Sequence, residues 1–375
     1  MPTSRFFLIL MLLLMPSLSA CGGNPADAGL PPLSEEALAA VGDDAGVPRE
    51  RLARAIDGLF ADEDAGETRA LLVMYRGRIV AERYGDGFNR ETRFTGWSMS
   101  KSVTGVLIGL LVSDGRLRLD ETAPVPAWQR SGDPRGEITL RQLLQMRSGL
   151  RHVETEDPPY KADTVRMLFL DGRDDMAAYA EAQPLEAEPG RRFEYSSATT
   201  VILSDLAARA LTTSSDPAVR RGIVADYLKT RLFDPLGMNS MVPEFDAAGT
   251  MVGSSLIHGT ARDWAKFGEF LRHGGSIKGA QIIPRRWIEF MTRPSPRNPG
   301  FGAQVWLNHP PAEGAPPLFP SAPESLFACI GHLGQYIVAS PRQKLTIVRI
   351  GHSDEAMRPA LHRRIADIVA LYPAE

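Results

Sequence analysis

The stretch Gly96-Trp97-Ser98-Met99-Ser100-Lys101-Ser102-Val103-Thr104-Gly105 packs three serines and a lysine into ten residues. Only Ser98 has a lysine three positions on. From Met99 to Ser113 the chain is apolar almost all round, the signature of a buried helix. A helix starting near Met99 puts Ser98 at its N-terminus and Lys101 on the same face, a turn away. An amine beside so apolar a helix is poorly solvated, and desolvation favours its neutral form. A neutral amine can take the proton of a hydroxyl. Such a base contributes about 10²–10⁴-fold to a rate. The exposed N–H groups of the helix start favour negative charge developing nearby. The same pair also fits a structural role, with Lys101 reaching out to solvent and Ser98 capping the helix.

Two further segments bear on the choice. In Pro189 to Thr200, Tyr195 is followed two residues later by Ser197, and it is the only one of eight tyrosines with Ser or Asn at that offset. A phenol beside an unprotonated lysine can pass protons between nucleophile and leaving group. The plainer role is a ring packed into the core at a helix start. In Cys329 to Tyr336, Gly331 and Gly334 lie on an expected strand, which suggests close approach of another group to the backbone. An edge strand there could bind substrate and supply an oxyanion donor, worth about 2.7–4 kcal/mol. A sheet edge softened by glycine is the alternative.

Ser98-Met99-Ser100-Lys101, then Tyr195-Ser196-Ser197, then a Gly-rich strand near the C-terminus, in that order, resembles the penicillin-recognising serine hydrolases. The nearer resemblance is to the branch holding class C β-lactamases, D-alanyl-D-alanine carboxypeptidases, family VIII carboxylesterases and 6-aminohexanoate-dimer hydrolases. "ITLRQLLQMRSGL" (138–150), "EPGRRFEYSS" (188–197), "LFDPLGM" (232–238) and "GHLGQYIVASP" (331–341) support it, and it covers roughly residues 65–372. The resemblance implies a β-lactamase/transpeptidase-like α/β (α+β) fold, an antiparallel sheet flanked by helices with an inserted helical domain. It implies Ser98 as acylated nucleophile, Lys101 as its base and Tyr195 as proton shuttle. Ser197 stands where relatives often carry Asn and would bond Lys101 or the substrate. The Ser98 amide and the strand at Gly331, His332 and Gly334 would form the oxyanion and substrate side, with the His332 amide as second donor. The chemistry is then acyl transfer through a serine ester and hydrolysis, with no metal and no cofactor.

One departure narrows the substrate. β-Lactamases and carboxypeptidases of this kind carry Lys-Thr-Gly, or His for the Lys, on the last strand. Here Cys329-Ile330-Gly331 offers neither cation nor hydroxyl at the first two positions. His332 follows the expected point. The expectation is a serine hydrolase for small neutral esters or amides. β-Lactam or D-Ala-D-Ala turnover is the alternative. A non-catalytic binding or scaffold lipoprotein on the same fold is the alternative of another class.

These groups need elements to hold them. "RALLVMYRGRIVAERYG" (69–85) predicts a β-hairpin turning at Arg76-Gly77. Thr139 and Gln142 make a capping box for a helix over 138–149, with Ile138 stapling onto Leu143. Helices are predicted at about 199–211, 218–233 and 261–273. A Pro-rich loop (308–325) follows. "LFACIGHLGQYIVASP" and "KLTIVRIGH" predict two strands, and 355–370 a closing helix. Strands at both ends with helices between suggest a sheet domain from 47–150 and 286–375 and a mainly helical domain from 151–285.

The 375 residues suit one large or two moderate domains. Apolar content of 43% and charged content of 23% fit a folded globular chain, and a net charge of −3 does not argue for a nucleic-acid partner, which normally needs a basic face. The seven histidines form no zinc pattern, and no Gly-x-Ser-x-Gly elbow or phosphate loop is present. Residues 1–20 read as a signal peptide: Arg5, then an apolar run from Phe6 to Met15, too short for the about 20 residues that span a bilayer. Leu18-Ser19-Ala20-Cys21 looks like a bacterial lipobox, with Cys21 the lipidated residue and 21–46 a flexible tether. Gly22 after the Cys favours the outer membrane, facing the periplasm. Acylation of Cys21 would leave Cys329 as the one free thiol.

Overall fold

The computed structural model describes residues 32–375. Cys21 and the signal segment lie outside the described residues.

A six-stranded sheet carries the molecule. Its strands are β1 (Glu67–Tyr75), β2 (Arg78–Tyr84), β3 (Trp306–Leu307), β4 (Phe327–Gly331), β5 (Gln335–Ser340) and β6 (Leu345–His352). They lie in the order β2-β1-β6-β5-β4-β3, and every neighbouring pair is antiparallel. Leu72 pairs with Val348, so the two ends of the chain meet at the centre of the sheet. Side chains alternate across it with the period of two that a strand imposes. Leu71, Val73, Ile347 and Val338 face one layer, built on helices α1 (Arg49–Ala61) and α5 (Arg358–Leu371). Ala70, Leu72, Val348 and Ile337 face the other core, which contains α2 (Ser100–Ser113), α3 (Ser197–Leu211) and α4 (Ala261–Arg272). Helix α4 lies within the segment read as the helical insert, yet it packs against β1, β5 and β6.

Helix α2 is buried on every side from Ser100 to Leu111. Its close packing rests on small residues. A Cβ on Gly109 would stand 2.2 Å from the Trp287 indole nitrogen. That indole donates to the Gly105 carbonyl at 3.1 Å. Before α2 comes a single 3₁₀ turn, Trp97–Met99. The Gly96 amide donates to the Ile257 carbonyl at 2.8 Å, tying the turn to a small sheet of Arg93–Thr95, Ile257–Thr260 and Val242–Pro243.

The expected capping box is present: Thr139 Oγ1 accepts from the Gln142 amide at 3.2 Å, and Gln142 Oε1 accepts from the Thr139 amide at 2.8 Å. The segment 326–341 differs from its sequence reading. It is not one strand but the hairpin β4–β5. Leu333 and Gly334 take consecutive left-handed conformations, φ 59° and 81°. Two such residues in succession turn a chain whose strands twist right-handedly, and glycine adopts that conformation at no steric cost.

Overpacking a close-fitted helix costs about 1–3 kcal/mol. Gly109→Val is therefore expected to lower the urea midpoint clearly, against unchanged spectra of the native state. An unchanged midpoint would show that Trp287 moves aside freely.

Candidate active site

Among the three serines of the opening motif, the structure separates one from the others. Ser102 Oγ donates to the Gln304 carbonyl at 2.6 Å. Ser100 Oγ accepts from the Ile257 amide at 3.2 Å. Both are buried and serve the packing of α2. Ser98 instead lines a cavity of about 420 Å³ together with Tyr195, Trp306, Glu154 and His332. Its neighbour Trp97 is held in the left-handed region, φ 46°. That is a sparsely populated conformation for a bulky residue.

Lys101 is 2% exposed. Its Nζ lies 2.9 Å from Ser98 Oγ, 2.8 Å from Ser197 Oγ and 3.1 Å from the Ser254 carbonyl oxygen. An ammonium gives one N–H to each of these oxygens. A free amine turns its lone pair to one of them, and only a hydroxyl has a proton to offer. The Ser197 hydroxyl already donates to Glu154 Oε1 at 2.7 Å. Ser98 is thus the hydroxyl left to donate to the amine. Burial lowers Lys101 to about 8, against the opposing pull of the Glu154 charge.

The sequence pattern brought Tyr195 and Ser197 together, and the fold brings both to Lys101. Ser196 caps α3 by accepting from the Thr199 amide at 3.0 Å, which fixes Ser197 in the first turn. The Tyr195 ring centroid is 4.9 Å from Lys101 Nζ. Burial raises the Tyr195 phenol well above its ordinary value. The Glu154 charge adds to this, while the neighbouring Ser98 and Trp306 side chains act the other way. Tyr195 is accordingly a neutral phenol at its post. Trp306 stacks at 5.3 Å on its ring and Phe301 lies edge-on at 5.9 Å.

Gly331, the last residue of β4, and His332 and Gly334, in the turn between β4 and β5, line the same cavity. β3 pairs only with Phe327 and Ala328, so the outer edge of Cys329–Gly331 lies beyond it. The turn approaches Ser98 closely because Gly331 has no side chain: a Cβ there would stand 2.4 Å from the Gly96 carbonyl oxygen. Two buried polar side chains fix it. Gln335 Nε2 donates to the His332 carbonyl at 3.0 Å and to the Gly351 carbonyl at 2.7 Å. Arg349 donates to the carbonyls of Gly334 and Glu67, each at 2.8 Å, and to Ser353 Oγ at 2.8 Å. The His332 ring stands edge-on to Trp97 at 5.4 Å, and burial pulls its basicity down. Cys329 points into the core instead; burial raises its thiol to about 12, so it is an inert group at neutral pH.

Sequence reasoning missed the acid of this site. Glu154 receives the Ser197 amide on Oε2 at 2.7 Å, as well as the Ser197 hydroxyl on Oε1. His152 Nε2 reaches Oε2 at 2.7 Å and Thr164 Oγ1 donates to Oε2 at 3.0 Å. Nothing in "LRHVETED" (150–157) distinguishes this carboxylate from its neighbours along the chain. The Ser254 carbonyl, a main-chain group, carries no sequence signal at all.

The comparisons with known proteins bear on the whole. The model of the family Beta-lactamase matches residues 56–370. The chain belongs to the Beta-lactamase family. A 6-aminohexanoate-dimer hydrolase of Paenarthrobacter ureafaciens is 26% identical over 231 residues, 59% of this chain. The match spans 56% of that enzyme's length. A Bacillus anthracis structure assigned as a 6-aminohexanoate-dimer hydrolase superposes with a TM-score of 0.66 at 23% identity, covering 85% of this chain and 83% of that one. A family VIII carboxylesterase superposes with a TM-score of 0.62 at 19% identity, covering 86% and 96%. These two likenesses show the fold: the antiparallel sheet flanked by helices is that of β-lactamases and penicillin-binding proteins. The named relatives are hydrolases.

A Cβ at position 331 has to push the turn away from Gly96, and displacement by about 1 Å can cost about 10²-fold in rate. If this site is the reactive one, Gly331→Ala should lose most of its hydrolytic activity while its melting temperature changes little. Equal activity in both proteins would show that the turn does not contribute.

Proposed function

We propose that the protein is a serine hydrolase that cleaves small neutral esters or amides through an acyl-enzyme on Ser98. One observation carries this reading: a buried amine lies 2.9 Å from Ser98 Oγ, and the other hydroxyl within its reach has already given its proton to Glu154. In this reading Lys101, as the free amine, takes the Ser98 proton while Oγ attacks the carbonyl carbon. The oxyanion is received by the amides of Ser98 and His332. The Tyr195 phenol gives its proton to the departing alkoxide or amine, and the Lys101 ammonium returns a proton to Tyr195. Water then attacks the acyl-serine along the same proton path, restoring the Ser98 hydroxyl and releasing the acid. No step needs a metal.

The cavity supports the substrate class. Tyr195, Trp306, Leu318, Ile330 and Leu333 give it a largely apolar wall. Where Lys-Thr-Gly would place a cation for a substrate carboxylate, Ile330 lines the cavity and Cys329 does not. The second reading is a β-lactamase or D-Ala-D-Ala carboxypeptidase activity. Arg358, which lines the same cavity beside Glu355 at 3.6 Å, is the observation that favours it. The proposal includes export and lipid attachment at Cys21, which rest on Leu18-Ser19-Ala20-Cys21.

A fluorophosphonate probe is expected to label the wild type and not Ser98→Ala. No labelling of the well-folded wild type would favour a scaffold. p-Nitrophenyl esters and a short amide oligomer are expected to turn over, with nitrocefin slower by a wide margin; the reverse order would replace the first reading by the second. Lys101→Met is expected to keep its fold and lose about 10²–10⁴-fold in turnover. The base must be neutral, so kcat/KM should rise as pH increases through about 8. Labelling with radioactive palmitate in a bacterial host should mark the wild type and not Cys21→Ala.

A further inference from the structure

We propose that Glu154 is a positioning residue whose carboxylate, held by His152, Thr164 and the Ser197 amide, sets the pH at which Lys101 can act on Ser98. This rests on the reading of Lys101 as the base. The geometry is that of a fixed counter-charge. Glu154 Oε1 lies 4.0 Å from Lys101 Nζ, and the Ser197 hydroxyl sits between them, accepting from the amine at 2.8 Å and donating to the carboxylate at 2.7 Å. The other oxygen, Oε2, is engaged by three donors: the Ser197 amide, Thr164 Oγ1 and His152 Nε2. An ionised carboxylate can only accept, so Nε2 carries the His152 proton. A carboxylate with this many donors cannot swing away from the lysine without leaving buried partners unmet.

The charged and titratable groups around Lys101 come from three directions. Glu154 faces it from the loop before the helix Asp163–Phe169, with His152 behind. Tyr195 faces it from the start of α3 as a neutral phenol. His332, across the cavity, is pulled down by burial. Of these, Glu154 is the group whose charge acts on Lys101, and in spite of burial Glu154 is held down to about 2, by the Lys101 charge first and then by His152 and the Ser197 hydroxyl. The lysine is thus subject to two opposed forces. Burial favours the neutral amine. The carboxylate restores enough preference for the ammonium to bring the change of state near 8.

The sign of the test follows. Glu154→Gln removes the negative charge in a side chain of the same size, keeping one acceptor oxygen and putting an amide N–H2 where the other stood. The ammonium loses its partner, so the rising limb of fluorophosphonate labelling against pH should move down, by about 1–3 units for an opposite charge at this range. The position of the limb is the readout; the plateau is free to fall. A merely structural glutamate would lower the plateau with the limb unmoved, and that result would overturn the proposal. A wild type with no rising limb near pH 8, or a Lys101→Met variant that still labels normally, removes the base assignment and this inference with it. If Glu154→Gln does not fold, the reciprocal measurement decides, because coupling between two sites acts equally on both. In Lys101→Met the Glu154 carboxyl, followed by its carbon-13 shift, should titrate at least one unit above its wild-type midpoint. An unmoved midpoint sinks the proposal.

Discussion

Keeping an amine out of water is the constraint around which this site is built. A fully buried lysine is costly in its charged form, and proteins relieve that cost by neutralising the group or by pairing it. Here both remedies are present in part. The apolar helix and its neighbours withdraw solvent from Lys101, while three oxygens and one carboxylate at 4.0 Å keep the ammonium accessible. Neither form is strongly excluded. In the proposed reaction a group poised in this way accepts a proton from Ser98 and surrenders it later, which a surface lysine, charged throughout, does not do.

The surrounding fold supplies rigidity rather than chemistry. Ser98 is anchored from behind by Gly96, whose amide is bonded to Ile257 in a different sheet. Tyr195 is clamped between Trp306 and Phe301. The turn carrying His332 is fixed by Gln335 and by Arg349, a guanidinium with no exposed surface whose partners are neutral oxygens from β1 and from either end of the neighbouring strands. Three segments far apart in sequence thus meet with little freedom left. Donors that are already in place when charge develops need no reorganisation at that moment.

Much of this was legible in the residues, and the limits have physical causes. The helix carrying Ser98 and Lys101 announced itself by its unbroken apolar run, and its starting position followed within two residues. The capping box at Thr139 was readable because it is a contact between residues three apart. The β4–β5 hairpin was not, because two glycines fit close approach along a single strand as well as they fit a turn, whereas Leu333 and Gly334 together reverse the chain. Close approach is also present, at Gly331 against Gly96, so one pair of glycines served two purposes that a linear pattern cannot separate. Glu154 escaped for another reason. Its meaning lies in contacts with Ser197, 43 residues on, and with Lys101 in another helix. No periodicity relates those positions.

The residue at position 197 makes the electrostatics possible. In the serine hydrolases that the sequence resembles, Asn often stands there. An asparagine amide accepts through one atom and donates through another, holding its two partners further apart. The single oxygen of Ser197 accepts from Lys101 and donates to Glu154 at once. That brings opposite charges to 4.0 Å while keeping them from direct contact. A direct ion pair would hold the proton on the lysine too firmly for it to serve as a base. A more distant acid would leave the lysine neutral but weakly basic. A hydroxyl of one-carbon reach places this chain between those limits, and it also commits the only competing proton, so that Ser98 alone is left to answer the amine.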